Sequence, residues 1–183
     1  MTLVEEIHVA NAAYVNHRPK GQLPLPPARK VAIVTRTASL ILLSSLSIML
    51  LQCMDARILP ASAFGLQEGD AHVIRNAGGR TPEALRSLVI SQQLLGTETI
   101  IVAQHTDCGM LTFENKDIHA VIHKNLHGAD ATHIDFLPFP NLEQNVRDDV
   151  AFLRNHELIP KTVDIHGYIY DVATGRLVPV NSE

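Results

Sequence analysis

The chain has 183 residues, of which 46% are hydrophobic and 19% charged, a balance that excludes the disordered class and requires a buried core. That length suits one compact unit, taken as a single α/β domain over residues 1–183. Fifteen Lys and Arg against 19 Asp and Glu give a formal net charge of -4, so nothing drives the whole surface toward nucleic acid or an anionic membrane, and a small molecule is the expected partner.

Thr2 and Glu5 match a capping box, and Leu3, Ile7, Ala10 and Tyr14 recur at helical spacing, so a first helix is predicted to about Arg18. The Pro-rich run that follows cannot continue it. Residues 1–29 therefore read as a helix and an extended arm, leading to a β-branched strand at 30–34. Residues 35–52 fit no element cleanly and read as an anomalous apolar insertion. Their apolar and serine-rich stretch is shorter than the roughly 20 residues that cross a bilayer. It suits either a buried helix or a loop ending in a strand at 48–51.

A strand at 71–75 and a turn at Gly78 and Gly79 precede the best-signalled helix, with Thr81 as N-cap, Pro82 at its first position and Gly96 as its stop. Residues 99–103 form a continuous apolar run, the pattern of a parallel strand covered on both faces, with His105 just beyond its end. Helices are predicted around 118–126 and 142–153, a strand at 163–170, and a last extended segment at 176–180 after a turn. The alternation of strand and helix predicts a mostly parallel central sheet flanked by helices, with ligands at the carboxyl ends of its strands.

Cys53 and Cys108 are the two cysteines of the chain, too few for a secreted disulfide framework, and no charged-then-apolar leader is visible, so a cytoplasmic setting is expected. Cys53 lies two residues before Asp55 and four before Arg57, and His105 lies three before Cys108. Two thiolates and an imidazole suit zinc, and three protein ligands leave a fourth tetrahedral position for water or substrate. Inert core thiols or a disulfide are the plainer readings, but the polar neighbours of both cysteines favour a metal. Asp55 and Arg57, spaced to project to one side, can form a carboxylate–guanidinium pair beside it. His119, His123 and His127 recur every four residues but border an apolar stripe, which argues for exposed histidines on a helix rather than a second metal site. Asp107 reads as a turn residue accepting backbone hydrogen bonds.

Taken together, Cys-x-Asp-x-Arg from Cys53, Arg-Asn-Ala-Gly from Arg75, a helix ending in Leu95-Gly96, and His-x-x-Cys-Gly from His105 resemble the β-class carbonic anhydrases. The likeness runs from Cys53 to Gly109, with a fainter extension from His166 to Gly175. It implies one zinc ion per chain held by Cys53, His105 and Cys108, a catalytic pair of Asp55 and Arg57, and Asp55 as a conditional fourth ligand. It also implies a homodimer or higher homo-oligomer with the N-terminal helix on the partner. The expected activity is reversible hydration of carbon dioxide to bicarbonate. Hydrolysis of carbonyl sulfide or carbon disulfide at the same site is the rival, and a catalytically impaired zinc-binding or bicarbonate-sensing protein is the third reading. Two departures stand out. Ala56 replaces a common serine, and residues 35–52 separate the first strand from Cys53, where the family runs one into the other; removing them joins Val34 to Cys53. A retained intron or gene-model error accounts for such a segment; otherwise residues 47–52 take over as the strand.

Overall fold

The computed structural model describes residues 2–17 and 47–181. Helix α1 (Leu3–His17) opens with the expected capping box, the Thr2 amide donating to Glu5 Oε2 at 2.7 Å and the Glu5 amide to Thr2 Oγ1 at 3.3 Å. The expected strand at 30–34 lies outside the described residues.

The chain then forms β1 (Ser47–Cys53), α2 (Pro60–Phe64), β2 (Ala71–Asn76), α3 (Thr81–Leu95), β3 (Thr97–His105), α4 (Asn115–Asn125), α5 (Leu142–Asn155), β4 (Asp164–Tyr170) and β5 (Leu177–Val180). The strands make one sheet in the order β2-β1-β3-β4-β5. The first four are parallel and β5 returns antiparallel beside β4.

The strand that enters Cys53 is thus the tail of the segment read as an insertion, as in the alternative that gave residues 47–52 that place. Its composition explains the outcome. Leu50 and Leu51 point to opposite faces of a central strand and are both buried, each contributing about 1.5–3 kcal/mol relative to exposure. On one face Met49, Leu51, Ile100, Val102 and Ile165 pack against Ala84 and Leu88 of α3 and Val146, Val150 and Leu153 of α5. On the other, Ile48, Leu50, Ile101 and Ala103 meet Phe64 of α2 and Leu66.

Three expectations shift by a residue or a face. Helix α3 begins at Thr81 with Arg80 as N-cap, because the Thr81 hydroxyl is drawn sideways to the Asp149 carbonyl at 3.3 Å instead of capping its own helix. His105 is the last residue of β3 rather than the first beyond it, paired with Tyr170 of β4. The apolar stripe of α4 is not packed into a core: no residue of that helix is buried, and Val121 is 49% exposed.

Candidate metal centre

From β1 the chain leaves on one side to β2 and returns through α3 to β3 on the other side of β1, which makes the carboxyl ends of β1 and β3 the switch point of the sheet. Cys53 ends β1 and His105 ends β3, so two donors arrive on adjacent rigid strands. The third needs a sharp return after His105. Asp107 supplies it with a left-handed φ of 54°, after which Cys108 opens a one-turn 3-10 helix over Gly109–Leu111.

The ligand-capable atoms of Cys53, His105 and Cys108 lie within 4.8 Å of one another, and all three residues are buried. Among the described residues this is the one such group, and it does not include Asp55 or His119, His123 and His127. His119 instead pairs through Nε2 with the Ile134 carbonyl. Close approach of the neighbouring turn requires Gly79: a Cβ there, at φ +65°, would lie 3.0 Å from the Cys53 nitrogen and 3.2 Å from the Ala103 oxygen. Met110 and Phe139 pack around the two cysteines.

The donor set fits a zinc ion. His105 Nδ1 lies 2.8 Å from the Thr106 carbonyl, a contact that places the ring proton on Nδ1 and turns the lone pair of Nε2 inward. That Nε2 is buried and has no hydrogen-bond partner, a state stabilised by coordination. The neighbouring Cys108, with a smaller contribution from the nearby His105 ring, lowers the Cys53 thiol far below its ordinary value, and the resulting thiolate and burial push Cys108 up. Two adjoining thiols that compete for one negative charge are a site in which a divalent cation releases both protons. Burial works to lower His105, but the adjacent Cys53 thiolate and the Thr106 carbonyl raise it on balance.

Asp55 and Arg57 pair as expected. Arg57 donates through Nε to Asp55 Oδ1 at 3.0 Å and through one terminal nitrogen to Oδ2 at 2.7 Å. This fork holds the Asp55 carboxyl well below the usual carboxylate range. Asp55 Oδ2 stands 3.8 Å from His105 Nε2, at the rim of the donor cluster.

Two further side chains were not legible as participants. Asp107 accepts from Arg57 at 2.6 Å through its carboxylate and at 2.9 Å through its carbonyl, so Arg57 is gripped from both strand-end loops rather than by Asp55 alone. Its position between His105 and Cys108 was the signal, but spacing cannot reveal a partner 50 residues away. Arg75, at the end of β2, donates to the carbonyls of Cys53 and Asp55.

The Carbonic anhydrase family profile matches residues 48–177. The chain belongs to the β-carbonic anhydrase family. It is 37% identical over 182 residues to Beta-carbonic anhydrase 1 of Mycobacterium bovis, with 97% of each chain covered. A carbon disulfide hydrolase of Acidianus sp. is also 37% identical, over 150 residues that cover 69% of this chain and 74% of that one. Among solved β-carbonic anhydrase-like folds, the carbonic anhydrase of Streptococcus mutans superposes with a TM-score of 0.85 at 43% identity, covering 99% of both chains. That of Glaciozyma antarctica gives 0.79 at 44% identity, covering 94% of this chain and 95% of that one.

Proposed function

We propose that this β-carbonic anhydrase family member catalyses the reversible hydration of carbon dioxide to bicarbonate, as a lyase with one zinc ion per chain. The observation that carries the reading is the buried Cys53, His105 and Cys108 cluster with the Asp55 carboxylate at its rim, locked by Arg57. Zinc, when bound, supplies the Lewis acidity that brings the pKa of water to near neutral.

The chain's own groups do the rest. Cys53 and Cys108 lose their protons to bind the cation, and the Thr106 carbonyl holds His105 in the tautomer that presents Nε2. Asp55, charged and immobilised, accepts a hydrogen bond from water and so orients its lone pair toward the carbon of the substrate. Arg57 fixes that carboxylate through Nε and a terminal nitrogen; if it releases, Asp55 becomes the conditional fourth ligand of a closed site.

Relatives named as carbonic anhydrases align along nearly the whole chain, whereas those named carbon disulfide hydrolases align along about seven tenths of it, which favours carbon dioxide over the sulfur-containing rivals. The test is metal analysis with stopped-flow hydration, run in parallel on carbonyl sulfide and carbon disulfide. One zinc per chain with hydration of carbon dioxide supports the reading. Hydrolysis of a sulfur compound alone, or stoichiometric zinc with no turnover, overturns it in favour of the second or third alternative.

A homodimer and a cytoplasmic setting belong to the same proposal. Helix α1 leaves Leu3, Val4, Ile7, Val9 and Val15 at least 56% exposed, an apolar surface suited to a second copy of the chain. Both cysteines are free, as a reducing compartment keeps them, and among the described residues no helix is long and apolar enough to cross a membrane. Light scattering of the purified protein reads the oligomer directly.

A further inference from the structure

Cys53 is the last residue of β1 and Asp55 lies beyond it, past the last partners that the ladder supplies. Arg75 reaches both. Its Nε donates to the Cys53 carbonyl at 3.0 Å and one terminal nitrogen donates to the Asp55 carbonyl at 2.6 Å. Arg75 stands beside Gln52 in the β1–β2 register, and Asn76 beside Cys53, with the Met54 amide donating to the Asn76 carbonyl at 2.9 Å. One planar guanidinium therefore spans carbonyls two residues apart and sets the curve of the loop between them. Charged donors to neutral carbonyls make stronger bonds than peptide amides do.

Asp55 is consequently held at both ends: its carboxylate by Arg57 and its carbonyl by Arg75. Arg57 also answers to Asp107 and is 47% exposed, whereas Arg75 is spent on backbone, on the Cys53 carbonyl and on the Asp55 carbonyl, which accepts in addition from the Ile58 amide at 3.1 Å. We propose that Arg75 is a positioning residue, which fixes the backbone of Asp55 and thereby keeps the Asp55 carboxylate on Arg57 and out of the donor cluster. It touches neither substrate nor metal and acts through Asp55. The assignment rests on the hydration reading given above.

The test is a double-mutant cycle of Arg75→Ala with Asp55→Asn, read by stopped-flow hydration, by zinc content and by the visible absorption of the cobalt-substituted protein. Arg75→Ala should keep one metal per chain and lose about 10- to 100-fold in kcat/KM, as for other residues that orient the groups around a metal. Its cobalt spectrum should change from that of the unsubstituted chain, and Asp55→Asn should abolish the change. In the Asp55→Asn background the further loss from Arg75→Ala should be less than threefold, close to the scatter within which independent sites add. Arg75→Lys, which can serve one carbonyl but not both, should fall between, and it takes the place of Arg75→Ala in the cycle if that variant does not fold. Independent losses in the two backgrounds, an unchanged cobalt spectrum, or loss of zinc each overturn the assignment. A native chain that binds zinc but hydrates nothing overturns the functional reading instead, and the cobalt spectrum still decides the role of Arg75.

Discussion

Two glutamines each precede a candidate ligand on adjacent strands. Gln52 precedes Cys53 on β1, Gln104 precedes His105 on β3, and both are buried, at 0% and 1% exposure. Gln104 is fully employed: its Nε2 donates to Asp149 Oδ2 at 2.9 Å and its Oε1 accepts from Asn145 at 2.8 Å. Asp149 also accepts from Arg80, whose terminal nitrogen reaches the Leu137 carbonyl at 2.6 Å. One network thus ties the end of β3 to the start of α3 and to α5. Neither polar atom of Gln52 has a hydrogen-bond partner. Gln104 faces a helix that offers Asn145 and Asp149, whereas Gln52, level with Ala103, lies in line with the apolar Leu50 and Ile48. A buried amide without partners costs about 1–3 kcal/mol. The residue type is tolerated at such a position only where the opposite layer answers it.

The largest expected effect breaks the satisfied side. Asp149→Ala strands the Arg80 guanidinium and should cost about 3–5 kcal/mol in urea unfolding. If the loss is under 1 kcal/mol, Gln104 and Gln52 do not differ as described. Gln104→Leu comes next, leaving Asn145 and Asp149 each short of one bond, with an expected cost of about 1–3 kcal/mol by the same measurement.

Gln52→Leu should have the opposite sign, a gain of about 1–2 kcal/mol from removing an unpaired amide at nearly constant volume. Deletion of residues 35–52, which takes Ile48, Met49, Leu50 and Leu51 out of the core, should instead lower the melting temperature; an unchanged or higher value would show that another segment takes the place of β1.

The smallest effect is in pH dependence. Burial raises the Asp149 carboxyl above its ordinary value of 3.8, with Arg80 opposing. The folded chain therefore holds that proton more firmly than the unfolded one. The contribution is complete below pH 3.8 and is lost as pH rises through the folded value. Melting curves should show this slope in the native chain and in Gln52→Leu, which shifts the profile in parallel, and a flatter profile in Asp149→Asn.

The same contrast explains what could be read in advance. The convergence of Cys53, His105 and Cys108 and the pairing of Asp55 with Arg57 were legible because such groupings restrict residue type and spacing within short segments. The parallel sheet was legible because β3 is apolar throughout. Residues 30–34 and 47–52 both have the composition of a strand, so composition could not choose between them for the end of β1; the choice depends on which segment pairs with β2 and β3. Asp107 and Arg75 escaped because their partners lie 50 and about 20 residues away in sequence.

By itself the sequence determined which three side chains, Cys53, His105 and Cys108, come together, the α/β class and the helix α3 with its stop at Gly96, since each follows from local chemistry or periodicity. Only the tertiary structure decided that Gln104 is satisfied and Gln52 is not, that Arg57 is gripped by Asp107, and that Arg75 braces the backbone of Asp55. Hydrogen bonds between distant segments depend on which faces the sheet brings together, and a one-dimensional pattern carries no record of that.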